Sequence, residues 1–375
     1  MSLPLRLASF YFAYFAYAGA FVAYLPLYLA WRGLRAGEIA FLLALPQIAR
    51  VFAPAAWGWL ADRSGAQRGI VAFSCVANAA CFAVLPYAGG ARDIAWLIGA
   101  MSVLSAGAVP LVEAITLGSL AAGQAGRYGP IRLWGSLGFI AAVLGGGAWL
   151  DFQPVRGLPP ALVALSLASL AASLALPAGA VHAEPQSAGL RLTPAMRTLL
   201  AAGFCMAAAH GTLYTFFTLH LEGVGYSGTL IGALWTLGVL AEIVVFLCLP
   251  ALFRRHTLSG ILVASFLCAG VRFVAIGWAA AELWILVAAQ LLHAATFGAF
   301  HAASVAAVHR VFPQAAQARG QTLFSSLSYG AGGAAGALLA GWAWEASGPG
   351  LAFSVSALAA LAGAHFAYRL KRAGL

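Results

Sequence analysis

Apolar runs long enough to cross a bilayer follow one another along almost the whole chain, and they limit what it can fold into more than any other feature. At 1.5 Å of rise per residue, about twenty apolar residues span a hydrocarbon core of roughly 30 Å. Such runs fall near residues 7–30, 38–60, 69–87, 94–120, 131–150 and 158–178, then at 195–221, 227–252, 258–280, 283–311, 320–344 and 350–368. A backbone N–H or C=O in lipid meets no water, so each run must satisfy its own hydrogen bonds as a helix. The spacing predicts an all-α integral membrane protein of twelve transmembrane helices. They form two six-helix bundles, 1–178 and 195–375, joined by a cytoplasmic linker at 179–194. Composition agrees, with 63% of the 375 residues hydrophobic and 8% charged.

The net charge of +10 would point to nucleic acid in a soluble chain. Here no basic cluster is interleaved with aromatics, and the charge gathers in the connections between runs. Placing the termini and the even-numbered connections on one side collects Arg6, Arg63, Arg68, Arg127, Arg191, Arg197, Arg254, Arg255, Arg310, Arg319, Arg369, Lys371 and Arg372. The other side receives Arg32, Arg35, Arg92 and Arg156. By the positive-inside rule both termini and the linker are cytoplasmic. The first run is too long for the apolar core of a signal peptide, so it is expected to be a retained span of a bacterial inner-membrane protein. Cys75, Cys81, Cys205, Cys248 and Cys268 lie in apolar runs without CxxC spacing, which predicts reduced, buried thiols and no metal site.

Ionisable residues inside spans are costly unless paired or wet, which makes them functional candidates. Glu113, Arg50, Glu242, Arg272, His210, His293 and His301 lie within runs, and Arg132 heads one. Residues equidistant from a hairpin turn share a depth. Glu113 and Arg132 are symmetric about 122–123, which permits a cross-helix ion pair; Glu242 and Arg272 are symmetric about Thr257, with His293 near their level. His293, Phe297 and His301 recur at i, i+4 and i+8 on one helix face. Buried Glu and His beside arginine suit proton exchange, and a cavity-facing arginine suits a carboxylate. The plainer readings are that Arg132 snorkels to the surface, that the histidines join helices, and that Gly135, Gly138, Gly145–Gly147, Gly332, Gly336 and Gly341 serve packing. Arg50 has no partner by spacing.

The loop GWLADRSGAQR supplies Gly58, Asp62, Arg63, Gly65 and Arg68. Gly58 is expected to allow close helix contact, Asp62 to cap or pair, Gly65 to turn the chain, and the arginines to meet the cytoplasmic surface. The loop fits the Gly-x-x-x-Asp-Arg-x-Gly-x-x-Arg signature of the major facilitator superfamily, which the chain resembles over its whole length; the second-half counterpart, LPALFRRHT, is degenerate. PLVEAITLGSL, YGPIRLWGSLGF, LGVLAEIVVF, FRRHTLSGILVASFLCAGVRF and QLLHAATFGAFH resemble the 3-phenylpropionate permease group, a neighbour of the lactose permease oligosaccharide/proton symporters. That resemblance implies the major facilitator fold, with substrate contacts at Glu113 and Arg132 and an aromatic contact at Phe139, where the lactose permeases have tryptophan. It implies proton handling by Glu242, Arg272 and His293. One position departs: the lactose permeases carry their proton on a second glutamate three residues after that histidine, and this chain has Thr296.

The expectation is therefore a secondary transporter that imports a small aromatic carboxylic acid with a proton, by alternating access about a midplane site. Glu113, Arg132, Phe139 and Arg272 would bind substrate; Glu242 would carry the proton with His293, His210 and His301 assisting. The partners are the small-molecule substrate, protons and the bilayer, with no nucleic acid, no cofactor beyond the proton gradient, and a monomeric chain. Sugar or nucleoside symport and drug efflux are the alternatives within transport. An intramembrane enzyme lacks support, since neither HExxH nor GxSxG occurs. No loop exceeds about twenty residues, which argues against a receptor with a soluble domain.

Overall fold

A computed structural model of the chain describes residues 2–120, 127–178 and 191–372. Ten helical segments match single spans: α1 Leu3–Trp31, α2 Ala36–Ser64, α3 Gln67–Tyr87, α4 Ala91–Ser119, α5 Tyr128–Leu150, α6 Val155–Leu174, α7 Pro194–Val224, α8 Gly228–Arg255, α9 Leu258–Trp278 and α10 Leu283–Val311. The last segment, Arg319–Arg372, has 54 residues. Its backbone leaves the helix at Ser347 (φ −158°) and Gly348 (φ +74°). The left-handed value at 348 suits a residue without Cβ, and Pro349 behind it has no N–H to continue the ladder. The segment is thus two spans, 319–346 (α11) and 349–372 (α12), which brings the described spans to the expected twelve.

Polar residues at the ends fix where spans begin. Thr193 Oγ1 accepts from Met196 N at 3.3 Å ahead of α7, with Pro194 in its first turn, and Thr257 Oγ1 accepts from Gly260 N at 3.1 Å ahead of α9. At the start of α8 the cap comes from elsewhere in the sequence. Asp151, just past α5, accepts from Gly228 N, from Thr229 N at 3.0 Å and from the Thr229 hydroxyl. Those bonds, the Thr229 hydroxyl first, hold its carboxyl below the usual aspartate range.

The chain gathers into two compact units whose borders do not follow the sequence halves. One contains residues 2–34, 52–178 and Ser227–Gly232; the other contains Arg35–Val51, 191–226 and 233–372. Within the first, α1 lies against α5 through glycines. A Cβ on Gly138 would stand 2.9 Å from Phe12 Cα, Gly19 faces the Phe139 backbone, and the Tyr24 hydroxyl donates to the Val143 carbonyl. Within the second, Gly332 and Gly336 of α11 meet the backbone of α7 at Phe204 and Ala208.

Two expectations change, and a third falls outside the described residues. No atom lies within 4 Å of a Cβ built on Gly58, so close helix approach is not its role among the described residues. Cys248 is exposed, because α8 turns more of its surface outward than the other spans do. The linker at 179–194 falls outside the described residues up to 190.

Candidate functional site

Three local departures from regular helix position the polar side chains of the interior. Span α7 breaks between Ala209 and Gly211, leaving His210 at the turn. Residues Ala294–Ala299 of α10 and Ser326–Gly332 of α11 run as π-helix, a geometry that recurs at functional sites.

The fullest polar cluster surrounds Arg272 on α9, whose side chain is 1% exposed. Its Nη2 donates to Gln290 Oε1 at 2.7 Å, and its Nη1 lies 3.0 Å from both Thr296 Oγ1 and His293 Nδ1. Gln290 in turn donates to Leu234 O at 2.9 Å. A guanidinium only donates, so His293 Nδ1 must accept, and a neutral ring then carries its proton on Nε2. That atom faces Glu242 Oε2 at 3.8 Å. Equal depth had brought Glu242 and Arg272 to one level; the structure puts His293 between them. Thr296, at the position of the missing glutamate, accepts from the guanidinium as a neutral oxygen.

His210 is the counterpart in tautomer. Its Nδ1 lies 2.9 Å from Met206 O, a pure acceptor, so Nδ1 donates and Nε2 presents a lone pair in the neutral ring. That Nε2 has no hydrogen-bond partner among the described residues. The rings of His210 and His293 are 6.4 Å apart. On α10, Phe297 stacks between His293 at 5.3 Å and His301 at 6.3 Å, and His301 Nδ1 lies 2.8 Å from the Tyr329 hydroxyl.

In the first unit, Glu113 Oε1 and Arg132 Nε are 3.9 Å apart, with side chains 38% and 33% exposed. The guanidinium lies 4.1 Å over the Phe15 ring and 5.5 Å over Tyr11. This is a loose ion pair on an aromatic bed, open enough to meet a ligand. Phe139 is half-buried against Gly19. In the loop after α2, Gly65 takes φ +68°, Arg63 lies 5.5 Å over Trp59, and Arg68 donates to Leu176 O at 3.4 Å; Asp62 is exposed.

Gln290, Tyr214 and Tyr329 escaped the reading of charge alone. Their signal was a hydrogen-bonding group within an apolar run: Gln290 three residues before His293, Tyr214 four after His210, and Tyr329 amid the glycines of α11. Arg50 does find company, lining a pocket with Tyr214 and Tyr329.

The MFS_1-like family model matches residues 4–355. A probable 3-phenylpropionic acid transporter of Escherichia coli (strain K12) is 30% identical over 368 residues, covering 95% of this chain and 94% of that one. A maltose permease of Geobacillus stearothermophilus is 28% identical over 356 residues, covering 92% and 90%. Among solved structures, the nucleoside transporter NupG superposes with a TM-score of 0.84 at 19% identity over 99% of each chain, a likeness of fold. The chain belongs to the MFS_1-like family of major facilitator transporters: it is a multi-pass membrane protein that moves a small molecule as a secondary transporter, and not an enzyme.

Proposed function

We propose that the chain imports a small aromatic monocarboxylate of the 3-phenylpropionate kind together with a proton, by alternating access, across a bacterial inner membrane with both termini cytoplasmic. The observation that carries this reading is the line Arg272–His293–Glu242 in the membrane interior. An imidazole N–H aimed at a carboxylate across 3.8 Å needs a movement of about 1 Å to become a hydrogen bond, and the fixed cation on its other nitrogen biases where the proton rests. Glu242 carries the proton, His293 orients it, and His210 and His301 assist. Glu113, Arg132, Phe139 and Arg272 contact the substrate. The loop Gly58, Asp62, Arg63, Gly65, Arg68 accompanies the conformational change. The chain works as a monomer of two six-helix bundles, 1–178 and 195–375, with no organic cofactor, driven by the proton gradient.

The relative at 30% identity supports the aromatic acid. A sugar or nucleoside symporter is the second reading, favoured by the maltose permease at 28% identity and the nucleoside transporter fold. Uptake of labelled 3-phenylpropionate into proteoliposomes under an inward proton gradient separates them: accumulation competed by aromatic acids supports the first, and competition by maltose or uridine alone supports the second. Replacing Glu242 by Gln should abolish accumulation while counterflow exchange persists; undiminished accumulation removes Glu242 from the proton role.

A further inference from the structure

Within the second unit, α2, α7, α10 and α11 wall an open pocket. Its aromatic walls are Tyr214, Phe297, Phe300 and Tyr329, and its polar groups include Arg50 and His210. No carboxylate is among its lining residues, so its formal charge is positive.

Arg50 is the middle residue of α2, fourteen from Ala36 and fourteen from Ser64. Fourteen residues rise about 21 Å, beyond what an arginine side chain covers by snorkelling. Arg50 is exposed, so its guanidinium is met by water or a ligand in the pocket. It makes one long bond there, Nη1 to Gln47 Oε1 at 3.3 Å, and has no ion pair among the described residues. A guanidinium has five N–H donors, so most remain to be satisfied. The second observation is independent. His210 is 4% exposed and lines the pocket, its Nδ1 proton is committed to Met206 O, and its Nε2 lone pair, closed from solvent, has no partner among the described residues. A buried acceptor left so is costly, and a ligand's donor recovers that cost.

We infer that this pocket seats the carboxylate of a small monocarboxylic acid, with Arg50 as its counter-ion and His210 Nε2 at its other oxygen, and that one proton enters with the anion. A carboxylate oxygen and the Nε2 lone pair are both acceptors, so they meet only with a proton between them. Either a solvent proton forms the N–H bond on Nε2, or the ligand arrives as its acid; in both cases the complex holds one proton more than free protein and anion. The groups facing His210 are Arg272 on α9, His293 on α10 with Glu242 of α8 behind it, Tyr214 on α7, and Arg50 and Tyr329 across the pocket. Arg272 and His293 use the bonds described above, which leaves His210 Nε2 open. The inference rests on the aromatic-acid reading for its ligand, and adds a residue, Arg50, that the charge pairs left out.

Isothermal titration of the purified full chain in detergent tests it, with 3-phenylpropionate, lactate and acetate as acids and 3-phenylpropanol as the uncharged match. Running each acid in phosphate and in Tris, whose ionisation enthalpies differ, counts protons. The expected result is uptake of about one proton per bound acid. Arg50→Gln should weaken the acid at least tenfold while the alcohol binds as before, and Arg50→Lys should restore part of the loss. Wild-type affinity for the acid in Arg50→Gln, or binding with no proton uptake, overturns this inference and leaves the proposed substrate standing. Arg50-dependent binding of lactate or acetate without 3-phenylpropionate overturns the substrate and leaves the inference. Binding of none of the three acids overturns both.

Discussion

Replacing Arg272 by methionine tests whether the cluster around it is a stabilising element or an expense. The substitution keeps an unbranched side chain but strands Gln290 Oε1, Thr296 Oγ1 and His293 Nδ1, which converge on the guanidinium from 2.7 to 3.0 Å. Hydrogen bonds to a charged group contribute about 1.5–3 kcal/mol each, so the three sum to roughly 4.5–9 kcal/mol. Removing the cation also removes the several kcal/mol spent on its desolvation. The difference is on the order of 3–5 kcal/mol of lost stability, since the three acceptors left behind are buried and each unsatisfied one costs about 1–3 kcal/mol. Because the stranded amide is part of that cost, Arg272→Met with Gln290→Met should be less unstable than the sum of the single changes, by about 1 kcal/mol or more. Equilibrium unfolding in mixed micelles, followed by circular dichroism, reads all three variants. A loss under about 1 kcal/mol for Arg272→Met, or strict additivity in the double variant, refutes the reasoning.

Two further outcomes follow from the packing and the caps. Gly138→Ala should lower thermal stability by about 1–3 kcal/mol, since its Cβ would meet the Phe12 backbone, which cannot swing aside. Gly145→Ala, with nothing within 4 Å of the new Cβ, should be neutral or stabilising by about 1 kcal/mol, and equal melting shifts in the two variants would contradict the α1–α5 packing. Asp151→Ala should cost about 1 kcal/mol at pH 7, the scale of a helix cap. Because the folded carboxyl titrates below its unfolded value, the cap's contribution is full above about pH 4 and disappears as the pH falls through the folded value. The difference between wild type and variant should therefore shrink as the pH falls through and below the folded value; a difference that grows on acidification rules the cap out.

Periodicity and depth made much of this legible. Apolar length alone gives the spans, because lipid permits one way of satisfying the backbone, and even the unbroken 319–372 segment resolves into two once Gly348 and Pro349 are taken as a breaker pair. Equal distance from a turn brought Glu113 to Arg132 and Arg272 to His293, since helix rise is constant. It failed where rise is not constant or neighbours are remote. The π-helical stretches of α10 and α11 rotate Thr296 and Tyr329 in a way that no 3.6-residue wheel reproduces. The assignment of Arg35–Val51 to the second unit, which carries Arg50 to the pocket beside His210, depends on contacts hundreds of residues apart in sequence. The tautomers of His210 and His293 follow from which atoms touch Met206 O and Arg272 Nη1, and composition holds no trace of them.

Substrate-induced proton movement tests the central claim most directly. Lightly buffered proteoliposomes, with equal pH inside and out and valinomycin with potassium to clamp the voltage, receive 3-phenylpropionate while an external pH electrode records. Coupled import predicts alkalinisation of the medium above that of protein-free liposomes, abolished by a protonophore and absent in Glu242→Gln. Entry of labelled 3-phenylpropionate through the protein with no alkalinisation beyond the protein-free control would contradict it.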